Sequence, residues 1–281
     1  MKTNNDNIFN ILNQPQKAQN TNNLISNQNI DPKKRYTFKK KLGRGGFGEV
    51  SLYYDNISKK EVVIKKINRP MEEKEKLQLN REINAMKNIK SPYSVEYYDY
   101  YSDNSYCYIV MEKCDEDLVK FIERYKSGIP DPTIKVILLQ LNEAFKIMIS
   151  KNIIHRDLKP QNILIKYDSQ NSFIVKLADF GISREFNNKN FSTHIGTKIY
   201  AAPELWYTRS NYNPIKCDLW AIGVIIYELK FKDICFSFYQ GIIPKRFDNG
   251  LLDDLVRRLI VVDPNKRISW NEYFNHPFFK N

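Results

Sequence analysis

The sequence predicts an α+β protein of two lobes, a small, mainly β first lobe followed by a larger, mainly helical second one. Three observations carry this expectation. Strand-like segments crowd the stretch from Tyr36 to Met111, and apolar residues at helical spacing dominate beyond Asp115. Between them, flanked by a helical pattern ending near Lys151 and the apolar stretch Ile163-Leu164-Ile165, lies the polar string HRDLKPQN, His155 to Asn162. Charges wedged between two buried elements need partners. For His155 or Asp157 alone, a solvated turn is as good a reading as a chemical one.

At 281 residues the chain can bury a full core, as one large domain or as two closely packed lobes. The longest apolar stretch, Ala221 to Ile226, is far too short to span a bilayer. No secretory signal, myristoylation site or prenylation ending is read at the termini, so a soluble intracellular protein is expected, in the cytoplasm and with the nucleus also open to it. Cys107, Cys114, Cys217 and Cys235 show no CxxC pairing and no histidines at zinc-ligand spacing, and read as buried free thiols. The net charge of +12 suits nucleic acid or anionic lipid. The lysines are spread rather than clustered, however, and the Asn-, Lys-, Ile-, Tyr- and Phe-rich composition fits an AT-rich genome. Phosphate-rich small molecules are the better candidate ligands; no nucleic-acid partner and no membrane span are expected.

Residues 1–31 are rich in Asn and Gln and poor in apolar side chains, too little to offset their ordering entropy, and read as a disordered tail. Phe9 with Ile11 leaves room for a short docking helix. From Tyr36, YTFKKKLG and GEVSLYYD are strand-like and flank Gly43-Arg44-Gly45-Gly46-Phe47-Gly48; KEVVIKKIN follows after a turn at Asp55 to Lys60. The GxGxxG spacing also marks dinucleotide-binding folds, but there a helix follows the glycines at once. Here Glu49-Val50-Ser51-Leu52-Tyr53 is β-prone, which predicts a glycine-tipped hairpin. Its backbone N–H groups can close over phosphates, and an ordinary flexible turn is the alternative.

Alternation turns either Lys65 or Lys66 inward, where a lysine needs an acid. The next segment reads as a helix with Leu79, Ile83 and Met86 on one face. Glu82 beside that face is the best-placed partner for Lys65; otherwise it is a solvent-exposed glutamate like Glu72, Glu73 and Glu75. Strands SVEYYDYY and SYCYIVME close the first lobe near Met111. In the second, DEDLVKFIERY is helical, and a longer helix starts with Asp131 as cap and Pro132 just inside, carrying Ile134, Leu138, Leu141, Phe145 and Met148 to the core. After HRDLKPQN and a strand comes Val175-Lys176-Leu177-Ala178-Asp179-Phe180-Gly181, whose aspartate, at a strand end beside a bulky ring and a glycine, suits a metal ligand. Residues 182–200 read as a long polar loop, a length that points to function or disorder. CDLWAIGVIIYELK, LLDDLVRRLI and SWNEYFNHPFF complete a helical remainder.

In order, the chain has a glycine-tipped hairpin, a strand lysine, a helix glutamate, HRDLKPQN, DFG and AAPE. From about Tyr36 to the C-terminus this resembles the eukaryotic-type protein kinases, serine/threonine class. Protein kinases are a standard template for phosphoryl transfer, and the following roles are those the resemblance implies. The fold would be the bilobal protein-kinase fold over residues 32–281, with a first lobe of about 36–111 and a second of about 115–281. ATP and Mg2+ would be the cofactors. Lys65 would hold the α- and β-phosphates with Glu82 as its ion-pair partner. Asp157 would orient the substrate hydroxyl and accept its proton, and Lys159 would neutralise the moving phosphoryl group. Asn162 and Asp179 would be the magnesium ligands, hard oxygen donors for a hard cation. Gly43, Arg44, Gly45, Gly46, Phe47, Gly48 and Glu49 would cover the phosphates, with Leu42 and Val50 on the adenine. Met111 would be the gatekeeper, and Glu112 and Cys114 would offer backbone hydrogen bonds to the base.

The resemblance also implies a protein substrate carrying Ser or Thr, and an upstream kinase, or the chain itself, acting on its activation loop. Arg156 before Asp157 implies control by activation-loop phosphorylation at Thr193, with Ser192 beside it and Arg184 as a second grip on the phosphate. Lys159 and Thr197 suit the serine/threonine class, and Ile182 implies a preference for threonine. Glu204 with Arg267 matches a buried ion pair, and Asp218 matches the brace of the HRD backbone. Departures are Val63 in place of the usual alanine, narrowing the adenine pocket, and a short 230–251 segment reading Cys235-Phe236 for proline-phenylalanine, where a helix would be reduced or lost. VVIKKIN and IGT resemble NIMA-related kinases, while RISWNEYFNHPFF resembles the ULK type. A catalytically silent scaffold is the alternative; such proteins typically lose one of the positions held here by Lys65, Asp157 and Asp179.

Overall fold

The computed structural model describes residues 32–45, 48–70, 72–168, 170, 172–180, 199–205 and 214–280. The expected tail of residues 1–31 lies outside them. A four-residue helix, α1 (Pro32–Arg35), leads into β1 (Tyr36–Gly45), β2 (Gly48–Asp55) and β3 (Lys60–Asn68). The three strands are antiparallel, with Gly43 opposite Val50 and Val50 opposite Lys65. α2 (Glu73–Asn88) follows and sinks Leu79, Ile83 and Met86 into the core, as the helical spacing predicts. β4 (Tyr97–Ser102) and β5 (Tyr106–Glu112) complete a five-stranded sheet of order β1-β2-β3-β5-β4. Asp103 shapes the turn between them, its carboxylate accepting from the N–H groups of Ser105 and Tyr106.

β4 starts three residues later than its sequence pattern suggests, because Ser94 is used elsewhere. It forms an isolated parallel bridge to Leu177 in the second lobe. Around it, Val95 N–H donates to the Leu177 carbonyl and Leu177 N–H to the Tyr93 carbonyl, each at 2.9 Å. The lobes are therefore joined by backbone hydrogen bonds as well as by the chain between them.

The second lobe opens with β6 (Glu116–Asp117), which takes the first residues expected in a helix; α3 (Leu118–Glu123) is capped by Asp117 on Lys120 N–H at 3.0 Å. α4 runs Asp131–Ser150, but Asp131 is not its cap. The flanking residue is Pro130, in extended conformation, and Asp131 is already helical. Its carboxylate is drawn instead to Lys230 Nζ, 2.6 Å away. β7 (Ile163–Tyr167) and β8 (Phe173–Leu177) pair antiparallel and form a small sheet with β6. α5 (Cys217–Phe231) is apolar all round and buried on nearly every side. After it, the reduction expected between residues 230 and 251 is seen: the described residues hold only a short 3-10 turn, Phe236–Gln240, before α6 (Gly250–Leu259). α7 (Trp270–Phe274) begins on a reciprocal Ser269–Glu272 capping box.

One apolar core runs through both lobes, from Leu79, Ile83 and Ile109 to Phe145, Trp220 and Leu255. A smaller cluster of Tyr36, Val62, Ile64 and Val110 lies on the other face of the five-stranded sheet. Cys107 and Cys217 are buried free thiols, as expected. Cys114 and Cys235 are free but only half-buried, since one lies where the chain leaves β5 and the other begins the 3-10 turn. No helix among the described residues is long and apolar enough to cross a membrane.

Candidate active site

β3 settles which lysine turns inward. Lys65 is buried, its ammonium 2.9 Å from Glu82 on α2 and 2.5 Å from Asp179 beyond β8. Lys66, one residue on, lies over the ring of Tyr106 on the other face. Burial alone would push the Lys65 ammonium down; Asp179 and Glu82 together outweigh it and raise its pKa, keeping the cation charged. Burial pushes the Asp179 carboxyl up, and Lys65 more than offsets this, so Asp179 titrates below the usual range. For Glu82 burial prevails, and its pKa is raised despite Lys65.

The HRDLKPQN loop is folded by its own side chains. Asp218 on α5 is fully buried and accepts from the N–H groups of His155 and Arg156, each at 2.8 Å. These bonds hold Arg156 at φ +64°, a left-handed conformation that a non-glycine residue adopts at a cost of roughly 1 kcal/mol or more. Burial pushes the Asp218 carboxyl up, against the pull of those two N–H groups. His155, also fully buried, bridges the loop to the residue that follows β8. Its Nε2 lies 2.9 Å from the Ala178 carbonyl, and its Nδ1 accepts from Asp157 N–H. Nδ1 is thus an acceptor, which makes Nε2 the protonated nitrogen.

Asp157, Lys159 and Asn162 meet at one carboxylate oxygen. Lys159 Nζ is 2.7 Å and Asn162 Nδ2 3.1 Å from Asp157 Oδ2, and Asn162 Nδ2 also donates to the Asp157 carbonyl. Asn162 N–H donates to Lys159 O, and Ala178 N–H donates to Asn162 O, so the loop and the approach to Asp179 share backbone bonds. Asp179 itself is left-handed at φ +53°. Phe180 beside it is buried against His155, ring centroids 5.9 Å apart. With Asn162 Nδ2 committed to Asp157 and Asp179 Oδ1 to Lys65, Asn162 Oδ1 and Asp179 Oδ2 can face a cation; both are hard donors of the kind magnesium prefers. Among the described residues no cluster of three His, Cys, Asp or Glu is positioned to hold a metal unaided. Such a pair fits a cation whose other ligands are phosphate oxygens and water.

The hairpin forms one wall of the cleft. Gly43, Arg44 and Gly45 pair with Val50, Glu49 and Gly48 in turn. Gly48 has φ +130°, and a Cβ there would meet the Lys66 carbonyl at 2.1 Å, so β3 itself requires this glycine. A Cβ on Gly43 would meet nothing within 4 Å. Glu49 is tied to Lys41 at 2.6 Å on the surface. Leu42 is exposed and Val50 half-buried. Val63, buried, pairs with Met111 on β5, and the chain then passes through Glu112 to Cys114. Burial, reinforced by Glu112, pushes the Cys114 thiol up to about 12.

The structure thus brings Lys65, Glu82 and Asp179 into one contacting group and Asp157, Lys159 and Asn162 into another, linked by the backbone bond from Ala178 to Asn162. Gly46, Phe47, Gly181, Ile182, Arg184, Ser192, Thr193 and Thr197 lie outside the described residues. Beyond the cleft, Glu204 and Arg267 do form a buried bidentate pair at 2.7 and 2.9 Å. Sequence reasoning missed the carboxylate of Glu112, which is paired with Lys166 and Lys176. The available signal was a lysine inside each of two apolar strands, ILIKY and FIVKL.

Residues 36–279 match the protein kinase domain. A protein of Acanthamoeba polyphaga mimivirus provisionally named a serine/threonine-protein kinase is 34% identical over 281 residues, covering 85% of this chain and 61% of its own length. The serine/threonine-protein kinase ULK3 of Xenopus laevis is 33% identical over 257 residues, 85% of this chain and 54% of that protein. Nek5 of Homo sapiens is 32% identical over 268 residues, 88% and 37% respectively. The ULK and NIMA-related resemblances are thus of equal strength. The chain spans 13% to 61% of the length of the curated relatives compared. With the domain match, these identities and the cleft in agreement, the chain belongs to the eukaryotic-type protein kinase family, in its serine/threonine class.

Proposed function

We propose that the protein transfers the γ-phosphate of ATP to the hydroxyl of a serine or threonine on a protein substrate. The observation that carries this reading is the buried Lys65 ammonium held between Glu82 on the first lobe and Asp179 on the second. Phosphoryl transfer asks for positioning and charge neutralisation rather than covalent chemistry, and the cleft supplies both. Lys65 binds the α- and β-phosphates under the glycine hairpin, with Leu42, Val50, Val63 and Met111 around the adenine. Asp157 Oδ2 is occupied by Lys159 and Asn162, which leaves Oδ1 for the substrate hydroxyl. The hydroxyl oxygen bonds to the γ-phosphorus as the bond to the bridging β-oxygen breaks; its proton passes to Asp157, and ADP leaves. Lys159 faces the charge on the moving group. Asn162 and Asp179 would hold magnesium, which would supply charge neutralisation along the triphosphate.

The contacts among Lys65, Glu82 and Asp179 also weigh against the silent-scaffold alternative. Asp157→Asn tests the assignment: phosphate transfer should fall by at least about 100-fold while ATP still binds. Turnover near the wild-type rate refutes Asp157 as the base.

Control by phosphorylation of Thr193, with Ser192 beside it and Arg156 and Arg184 as its cationic partners, belongs to the same proposal. Arg156 supports it, because the bonds from the His155 and Arg156 N–H groups to Asp218 fix its backbone directly before Asp157. Phosphatase-treated Thr193→Ala protein should resist activation by an upstream kinase or by preincubation with ATP. Activation equal to wild type removes this part of the reading.

A further inference from the structure

Glu112 ends β5 where the chain leaves the five-stranded sheet for the second lobe. The template role expected of it concerns its backbone alone, yet its carboxylate, 5% exposed, is the meeting point of three donors. Lys166 Nζ on β7 lies 2.5 Å away and Lys176 Nζ on β8 lies 2.8 Å away. The N–H of Glu96, ahead of β4, donates to it at 3.2 Å, and Glu112 N–H returns a bond to Glu96 O at 2.9 Å. Lys166 and Lys176 are diagonal neighbours in the β7–β8 register, so both ammoniums come from one face of the small sheet. Burial pushes the Glu112 carboxyl up, and the two lysines more than offset it, leaving an anion at neutral pH.

Burying a carboxylate costs several kcal/mol even when it is paired, and an apolar contact would join two strands at less cost. What the charged arrangement adds is direction. Two ammoniums fix the carboxylate in two coordinates, and from the end of β8 at Leu177 the chain runs on through Ala178 to Asp179. We propose that Lys166 and Lys176 are positioning residues for the nucleotide: through Glu112 they clamp the adenine-presenting stretch from Glu112 to Cys114 onto the sheet whose last strand leads to Asp179. The inference rests on the kinase reading above. It makes the spacing between the adenine edge and the phosphate end of the site a property of this ion cluster. Lys176, 10% exposed, carries most of the clamp; Lys166, 42% exposed, carries a smaller share that salt screens.

The test compares Lys166→Met, Lys176→Met, the double variant and Lys176→Arg. Two readouts are taken: steady-state kinetics with ATP, and amide exchange over residues 111–116 in nucleotide-free protein. The KM for ATP should rise about fivefold in Lys176→Met, the low end of coupling between linked sites, and about twofold in the more exposed Lys166→Met, with the effect on KM rather than kcat. Exchange at 111–116 should quicken in the same order, and Lys176→Arg should return both readouts towards wild type. Unchanged KM and unchanged exchange in the double variant overturn the clamp, as does a fall confined to kcat. If Lys176→Met does not fold, the exposed Lys166→Met decides by the same two readouts. A wild-type protein that neither binds nor turns over ATP sinks the kinase reading instead, and the exchange measurement still judges the clamp.

Discussion

Glu204 and Arg267 offer a quantitative test of how the second lobe is held together. The Arg267 side chain is 0% exposed and that of Glu204 4%. The pair is bidentate, and Arg267 also donates to the carbonyls of Val261 and Lys216 and packs over the ring of Trp220. Removing one partner of a buried pair costs about 3–5 kcal/mol, because the other charge is left uncompensated. In Glu204→Gln the three carbonyl contacts still solvate the guanidinium, which places the loss near the lower end, about 3 kcal/mol. In Arg267→Met the orphaned Glu204 keeps, among the described residues, a long contact from the Cys217 thiol at 3.7 Å, and the loss should approach the upper end. For a domain of this size 1 kcal/mol corresponds to roughly 2–4 °C, so Glu204→Gln should lower the melting temperature by about 6–12 °C and Arg267→Met by more. The double variant Glu204→Gln/Arg267→Met should lose clearly less than the sum of the two, since no charge is then left buried alone. Differential scanning calorimetry without nucleotide makes the measurement. Additive losses, or a shift under about 2 °C in Glu204→Gln, refute the reasoning.

Three further outcomes follow from particular contacts. Asp218→Asn leaves one of the His155 and Arg156 N–H groups facing an amide donor instead of an acceptor. Amide exchange over residues 153–158 should accelerate and kcat should fall together, and unaltered protection there would show that the loop is held by something else. Gly48→Ala should destabilise the hairpin and weaken ATP binding more than Gly43→Ala, because only the former drives a Cβ into the Lys66 carbonyl; equal KM values for the two would contradict this. Asp55 sits against Arg35 and Ser58, and although burial pushes its carboxyl up, these partners and the Ile57 N–H lower it to about 2. A carboxyl depressed in the folded state stabilises above its unfolded value and loses that contribution as pH falls through the folded one. About 2 kcal/mol should therefore disappear between roughly pH 4 and pH 2, and the melting temperature of Asp55→Asn should fall less steeply than wild type over the acid range.

The two-lobed architecture and the order of elements were legible because strand alternation and helical spacing report burial directly. The limits of that legibility are physical as well. Alternation says that one of two adjacent lysines points inward, but choosing Lys65 over Lys66 depends on α2 lying over one face of β3. The pair Asp131-Pro132 has the form of a helix start, yet Lys230, far away in sequence, draws Asp131 into the first turn and leaves Pro130 as the flanking residue. The four glycines of the hairpin look alike as letters; between Gly43 and Gly48, the close approach of β3 singles out Gly48. Glu112 was legible for its backbone and not for its carboxylate, because both lysines that meet it lie more than fifty residues away in the chain.

The parallel bridge between Ser94 and Leu177 bears on where this protein can be cut. With Val95 and Tyr93 bonded to Leu177, and with Ile83 and Ile109 in the same core as Phe145, the stretch before Lys113 is not a self-sufficient folding unit. Severed there, the first fragment would expose the apolar face of α2 and two unsatisfied backbone groups, and the second would lose the edge that β8 leans on. The two lobes divide the molecule by shape but not by cooperativity. Fragment complementation at this point should regenerate the protein only when both pieces are present while they fold.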